Sequence, residues 1–182
     1  MMEFSETKIK GVWVINPKVH SDSRGYFMET FRQDLFEQHI GKINFVQENE
    51  SQSAYGVLRG LHYQLPPFEQ AKLVRVIQGK VLDVAVDIRP ESSTFGQHVA
   101  VELSAENKRQ LFLPRGMAHG FVVLSEVAIF SYKVDNVYAP QAEGSIIFND
   151  IDLGIDWQVP TEKIILSEKD KLLPSFKIAT EK

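Results

Sequence analysis

The sequence predicts an all-β protein, a jelly-roll β-sandwich or barrel with a few short helices. Three observations lead to this fold class. Short segments rich in Val, Ile, Phe and Tyr fill most of the chain. Clusters of Gly, Pro, Asn and Ser separate these segments, and nothing alternates strand with helix as a doubly wound α/β fold would. At 182 residues the chain is long enough for a single domain, 1–182, with a substantial core.

The clearest strand is predicted at 80–88, because its apolar residues alternate strictly. One face carries Leu82, Val84, Val86 and Ile88. The opposite face carries Val81, Asp83, Ala85 and Asp87. Further strands are predicted at 11–16, 72–78, 97–103, 120–124 and 127–138, with turns at Gly79, 89–93, 113–116 and 139–144.

Helical signal is scarce in this chain. One amphipathic helix is predicted over 34–40, with Asp34 as its cap, and one further turn could start at 104–107. The C-terminal segment, 161–182, is more charged than the rest but has too much apolar surface for a free tail. We therefore expect it to pack back on the barrel.

Composition narrows the possible partners and compartments. The net charge of −4 argues against nucleic acid or an anionic membrane as the main partner. The absence of cysteine excludes disulfides, thiolate catalysis and Cys-ligated metal sites. The chain has no apolar run of signal-peptide or transmembrane length, so a cytoplasmic location is expected.

The stretch "RGLHYQ" at 59–64 is the first candidate for chemistry. Simple alternation puts Gly60 and His62 on one face, with Leu58 and Gln64, and puts Arg59, Leu61 and Tyr63 on the other. His62 is either a core histidine with a satisfied hydrogen bond or a functional group. Glycine within a strand often marks a bulge or a close backbone approach, so Gly60 indicates an irregularity here.

Tyr132 is the second candidate. Alternation in 127–138 places its phenol on the same face as Phe130 and Val134, an apolar interior where the hydroxyl needs a partner. The alternative is a core tyrosine bonded to a backbone carbonyl.

A metal site is the third possibility. "PRGMAHGF" at 114–121 resembles half of the second cupin motif, whose metal sites also use a His-x-His strand. Here the position two after His62 is Gln64, so one ligand is missing. His62, Glu69 and His119 could make only a poor site, and no metal is expected.

Taken together, these pieces resemble the dTDP-4-dehydrorhamnose 3,5-epimerase family nearly end to end. Eight segments in the same order carry the resemblance: 22–31 (DSRGYFMETF), 45–53 (FVQENESQS), 56–64 (GVLRGLHYQ), 72–89 (KLVRVIQGKVLDVAVDIR), 104–121 (SAENKRQLFLPRGMAHGF), 132–138 (YKVDNVY), 143–150 (EGSIIFND) and 166–170 (LSEKD). The resemblance implies a cupin-type jelly roll and a cofactor-free epimerase that acts on dTDP-4-dehydro-6-deoxy-D-glucose in dTDP-L-rhamnose biosynthesis.

The chemistry of such a substrate fits these residues. Hydrogens at C3 and C5 are acidic because each is α to the C4 ketone, so inversion needs a base, stabilisation of the enolate oxygen and an acid on the opposite ring face. The resemblance implies His62 as base, Asp170 as its carboxylate partner, Lys72 as oxyanion stabiliser and Tyr132 as acid. Asp170 would then require the C-terminal segment to cross the barrel mouth.

The resemblance also implies a set of substrate-binding residues: Arg24, Phe27, Glu29, Gln47, Glu48, Asn49, Arg59, His119, Tyr138, Glu143 and Lys169. Tyr138 matches a position that stacks on thymine, and a diphosphate suits the cations of this set. Glu50 stands where the family commonly has His. Arg59 and His62 reach one ligand only if Gly60 breaks the pleat or a neighbouring subunit contributes one of them, and the resemblance implies a homodimer with N-terminal strands exchanged or paired.

Three alternatives remain open from the sequence. A relative that inverts only C3 would use the same His62, Tyr132 and Lys72. A metal-dependent cupin enzyme and a non-catalytic sugar-binding jelly roll are the other two.

Overall fold

The computed structural model describes residues 2–181, so the termini of the predicted unit 1–182 and of the segment 161–182 lie outside the described residues. Thirteen strands and two helices follow in this order: β1 Glu3–Glu6, β2 Trp13–Asn16, β3 Val19–Asp22, β4 Gly25–Met28, α1 Gln33–His39, β5 Gln47–Ala54, β6 Leu58–Gln64, β7 Lys72–Gln78, β8 Lys80–Asp87, β9 His98–Ser104, β10 Gln110–Leu113, β11 Met117–Val123, β12 Val127–Val134, β13 Glu143–Ser145 and α2 Phe176–Thr180. Single 3-10 turns lie at Pro140–Ala142, Thr161–Lys163 and Asp170–Leu172.

The strands form the two main sheets of a cupin-like β-sandwich. The larger sheet has the order β1-β2-β10-β7-β12-β5, and the smaller has the order β13-β6-β11-β8-β9. Every named strand pairing is antiparallel, and neighbours in each sheet are mostly distant in sequence, as jelly-roll connections require. β3 and β4 form a separate hairpin. The all-β fold class predicted from the sequence is confirmed.

Three apolar layers bury the inner strands of the sandwich, whereas edge strands such as β1 and β5 stay largely exposed. The central layer packs one sheet on the other and includes Val74, Val81, Ala85, Phe121 and Phe130. A second layer covers the outer face of the smaller sheet and includes Leu58, Leu61, Leu82, Val84, Val86, Ile146 and Trp157. A third layer lies under α1 and includes Ile15, Leu35, Phe36, Leu73 and Phe112. Both faces of β8 are therefore buried, with the two residue sets that alternation assigned to them.

Two local expectations from the sequence are wrong. The cap of α1 is Arg32, whereas Asp34 lies in the first turn and accepts hydrogen bonds from the Leu35 amide and from Arg32 Nε. The last strand of the larger sheet ends at Val134, so Tyr138 is not part of a strand. The chain turns away because the Asp135 carboxylate accepts hydrogen bonds from the Ala71 amide and from Arg115 Nε.

The C-terminal segment contacts the barrel at several points. Ile165 forms a parallel bridge with Val57, and the Ile147 amide donates to the Pro174 carbonyl. Side chains of Leu166, Phe176 and Ala179 pack on the outer apolar layer of the smaller sheet.

Neither helix within residues 2–181 has the length and apolar character needed to cross a membrane.

Candidate active site

A cavity of about 500 Å³ opens between the two sheets, and the C-terminal segment forms part of its wall. Both sheets contribute polar side chains to it. The lining residues that bear on chemistry are Asn49, Glu50, Arg59, His62, Lys72, His119, Tyr132, Lys169 and Asp170. All four residues to which the resemblance assigns catalytic roles therefore line one cavity.

A break in the pleat at Gly60 brings Arg59 and His62 to the same side of β6. Gly60 has φ +126°, a backbone conformation that side-chain-bearing residues rarely adopt, and the register with β11 shifts at this point. Leu58 and Leu61 both pack in the outer layer, while Arg59 and His62 line the cavity. The alternation that put Leu58 with His62 is therefore wrong. One chain supplies both polar groups to the cavity.

His62 and Asp170 form a histidine–carboxylate pair in the wall of the cavity. His62 Nε2 lies 2.7 Å from Asp170 Oδ1, across 108 positions of sequence. The Asp170 side chain is buried, whereas that of His62 is 33% exposed and open to the cavity. A buried carboxylate in this position fixes the orientation of the imidazole ring.

Lys72 supplies a positive charge to the same space. It lies at the start of β7, and burial lowers its pKa from 10.5 to about 8, with the negative charges of Asp83 and Glu143 opposing the shift. When protonated, its ammonium can donate a hydrogen bond to an oxygen that develops negative charge beside it.

Tyr132 faces His62 from the opposite sheet. It lies on β12, opposite Asn49 of β5, and lines the cavity. Burial raises the pKa of its phenol, partly offset by hydrogen bonding with Asn49 and by the charge of Arg59. The phenol is therefore protonated at neutral pH and can act as a proton donor.

A second histidine–carboxylate pair lies deeper in the cavity, and the sequence reasoning missed one half of it. His119 Nε2 lies 3.0 and 2.9 Å from the two carboxylate oxygens of Asp83, and Asp83 is completely buried. Asp83 was placed correctly beside Val81 and Ala85 on the inner face of β8. A carboxylate on an otherwise apolar strand face indicates that a polar partner must lie opposite, because a buried charge requires one. This was the signal in the sequence that could have revealed the pair.

Four of the residues expected to bind substrate line this cavity: Asn49, Arg59, His119 and Lys169. Gln47 lies next to it, since its side-chain amide donates to Asn49 at 2.9 Å. Glu48 points to the other face of its strand, where it pairs with Lys133 Nζ at 2.6 Å and accepts a bond from Ser131. Glu50, the departure from the family pattern, also lines the cavity.

Tyr138 and Glu143 do not line the cavity themselves, but hydrogen bonds connect them to Lys169, which does. The Glu143 carboxylate accepts a hydrogen bond from Tyr138 Oη at 2.5 Å and one from Lys169 Nζ at 2.5 Å. These bonds outweigh the opposing effect of burial and lower the pKa of Glu143, while the carboxylate raises the pKa of Tyr138.

The remaining three expected residues, Arg24, Phe27 and Glu29, lie on or beside the β3–β4 hairpin and do not line the cavity. Arg24 is exposed and pairs with Asp22 at 2.6 Å. The Phe27 side chain is 70% exposed, and Tyr26 beside it is 58% exposed. The Lys108 ammonium lies 4.0 Å from the centroid of the Tyr26 ring, so the exposed apolar surface of this hairpin is mainly that of Phe27.

Of the three residues considered for a metal site, His62, Glu69 and His119, the two histidines have other partners. Gln64, at the position where a cupin would have its second histidine, uses its side-chain amide to bond both the N–H and the C=O of Ala139, at 3.1 and 2.8 Å. His62 and His119 each bond a carboxylate. Within residues 2–181 no three His, Asp or Glu side chains are grouped as a metal site requires.

Fold and site together define a cupin-like jelly-roll protein equipped for acid–base chemistry. A histidine–carboxylate pair, an ammonium group and a neutral phenol face one cavity, and these are the groups that proton removal beside a carbonyl requires.

Comparison with known proteins gives the family. The model of the dTDP-4-dehydrorhamnose 3,5-epimerase family matches residues 6–177. A dTDP-4-dehydrorhamnose 3,5-epimerase of Shigella flexneri is 53% identical over 93% of both chains. The crystal structure of that enzyme from Elizabethkingia anophelis superposes with a TM-score of 0.95, at 53% identity over 99% of both chains. The crystal structure of a dTDP-6-deoxy-D-glucose-3,5-epimerase from Legionella pneumophila, solved in complex with dTDP-4-keto-L-rhamnose, superposes with a TM-score of 0.94. The two sequences are 47% identical over 98% of this chain and 94% of that one. The chain belongs to the dTDP-4-dehydrorhamnose 3,5-epimerase family of isomerases.

Proposed function

We propose that this chain inverts C3 and C5 of dTDP-4-dehydro-6-deoxy-D-glucose, giving dTDP-4-dehydro-L-rhamnose for dTDP-L-rhamnose biosynthesis. Family membership supports the reaction, and the observation that carries the mechanism is the position of His62 and Tyr132 on facing sheets of one cavity. A base and an acid on opposite sides of a sugar ring are what inversion requires.

Each step uses a group already described. His62, oriented by Asp170, removes the proton at C3 or C5. The electron pair of the broken C–H bond moves to the C4 oxygen, and the ammonium of Lys72 stabilises the enolate. Tyr132 then protonates the same carbon from the other face. Exchange with solvent completes the cycle, because the imidazolium of His62 releases its extra proton and the tyrosinate of Tyr132 takes one up. Because no electrons leave the substrate, the cycle needs no redox cofactor.

Turnover in deuterated water tests this function. Each inversion takes its new proton from the enzyme, which exchanges with solvent, so the product should carry deuterium at both C3 and C5. Mass spectrometry and NMR of the isolated product measure the two positions. Label at C3 alone would instead identify a C3-only epimerase. Nucleotide binding without any label would identify a sugar-binding protein, and loss of turnover after chelation would identify a metal-dependent cupin.

Lys72 should give the reaction an alkaline limit. Its amine stabilises the enolate only when protonated, and its pKa is lowered to about 8. We expect kcat to be maintained below that pH and to fall as the pH rises through it, whereas a lysine with an ordinary pKa would keep kcat constant up to about pH 10. Steady-state rates at saturating substrate from pH 6 to 10 measure this limit.

Lys72→Arg is the matched variant, because a guanidinium stays charged throughout this range. The residual activity of this variant should lose the alkaline limb. If that limb persists with arginine at position 72, another group sets it and the role of Lys72 is wrong.

We further propose that the enzyme is a cytoplasmic homodimer whose β3–β4 hairpins serve the partner's substrate site. The support is the position of Arg24, Phe27 and Glu29 on a hairpin outside this chain's own cavity, together with the family resemblance. A sedimentation mass of one chain at assay concentrations would contradict the dimer.

A further inference from the structure

A salt bridge on the rim of the cavity lies next in the chain to the proposed catalytic pair. Tyr138 Oη and Lys169 Nζ each donate to a different carboxylate oxygen of Glu143, both at 2.5 Å. Lys169 is followed directly by Asp170, whose carboxylate lies 2.7 Å from His62 Nε2. We call Tyr138, Glu143 and Lys169 the rim triad. Asp170, the partner of the proposed base, is thus one residue away from the Lys169–Glu143 salt bridge on the cavity rim.

The strand that carries Glu143, β13, pairs directly with β6, the strand that carries His62. In the β13–β6 pairing, Glu143 lies opposite Gln64, and Ser145 lies opposite His62. The Glu143 side chain is only 15% exposed and has a donor on each oxygen. Its backbone therefore holds a fixed register with His62, while its carboxylate binds the neighbour of Asp170.

The segment that carries Asp170 has few other attachments near this point. Among the described residues, hydrogen bonds from 166–173 to the rest of the chain come from Lys169 and Asp170 alone; the others stay within the segment. The bridge at Ile165 and the bond to Pro174 hold the segment only at its ends. Among the described residues, the Lys169–Glu143 bond is therefore the hydrogen bond from this stretch to the sheets that lies nearest to Asp170, apart from the bond that Asp170 itself makes with His62.

On the basis of the proposed function, we propose that Glu143 is a positioning residue, which holds Asp170 against His62 by binding Lys169. This role is distinct from contact with the substrate, because it operates in the empty cavity. Because the Lys169 side chain is 62% exposed, its ion pair with Glu143 contributes little to stability, so the loss of this pair should misplace a catalytic carboxylate without unfolding the protein. Small displacements of this kind are costly in catalysis.

Glu143→Gln tests the proposal, since it keeps the size of the side chain and removes its charge. We expect kcat to fall about 10- to 100-fold, with KM changed much less and the melting temperature close to that of the wild type. In the ligand-free protein, the His62 ring N–H that bonds Asp170 should exchange faster with solvent, as NMR can measure. Lys169→Met should reproduce both effects, and the double variant should lose no more than either single one.

Glu168→Gln is the matched control. It removes the carboxylate of the adjacent Lys171–Glu168 pair, at 2.6 Å in the same segment, and should leave both measurements unchanged. The proposal is overturned if Glu143→Gln keeps wild-type kcat and N–H protection, if its loss is confined to KM, or if Glu168→Gln shows the same loss. Failure of the proposed function would differ, because the wild type itself would then not epimerise while the N–H measurement would still report on Glu143.

Discussion

His62→Ala should abolish hydrogen exchange at both C3 and C5 while leaving affinity for dTDP largely unchanged. Within residues 2–181 the imidazole is the cavity group that pairs with buried Asp170, so its loss removes the proposed base for both carbons. We expect the rate of exchange to fall by about 10²- to 10⁴-fold, the range typical for removal of a general base. Deuterium incorporation into recovered substrate and product measures it, and calorimetry with dTDP measures binding.

His39→Ala is the matched control for this variant. His39 lies on α1 and stacks on Phe4 at 4.5 Å, on the outer side of the larger sheet. Its loss should leave exchange near the wild-type rate. Near-native exchange in His62→Ala would mean that the base lies elsewhere, with the His119–Asp83 pair as the next group to test.

Tyr132→Phe should separate proton removal from inversion. His62 can still take the proton and return one from solvent to the same face, so recovered substrate should gain deuterium. Without the phenol hydroxyl, protonation from the opposite face is lost, and we expect product formation to fall by about 10²- to 10⁴-fold. Time courses of substrate label and product, followed by NMR in deuterated water, measure the two steps separately.

Tyr63→Phe provides the comparison for that variant. Tyr63 is also buried, but its hydroxyl donates to the Ala179 carbonyl at 3.1 Å on the outer side of the smaller sheet. This loss should affect stability more than turnover. Full product formation by Tyr132→Phe would exclude the phenol as the acid.

Strict alternation was the most informative part of the sequence for the fold. The predicted strand 72–78 matches the observed Lys72–Gln78, and the two faces of 80–88 were assigned correctly, because both pack against apolar layers. Strand β5, Gln47–Ala54, was not predicted, since "QENESQSA" has no apolar period. It lies at the edge of the larger sheet and needs little apolar surface.

The candidate site was harder than the fold to predict from local sequence patterns. Alternation alone directed Tyr132 inward, but 108 positions separate His62 from Asp170, and only the family resemblance connected them. Local sequence patterns do not identify the partner of a buried carboxylate. The position of Asp83 on the inner face of β8 was therefore predicted, but its pairing with His119 was not. Counting residues along β6 also failed, because a break in the pleat reverses every side chain that follows it.

The break at Gly60 also limits which substitutions this protein can accept. A Cβ added at Gly60 would lie 2.5 Å from Gly120 Cα, and one added at Gly120 would lie 2.8 Å from the Arg59 carbonyl oxygen. Each clash is with backbone, so no side-chain change nearby can compensate for it. Anyone transplanting the strand that carries His62 into another β-sandwich would therefore have to transfer Gly60 and Gly120 together.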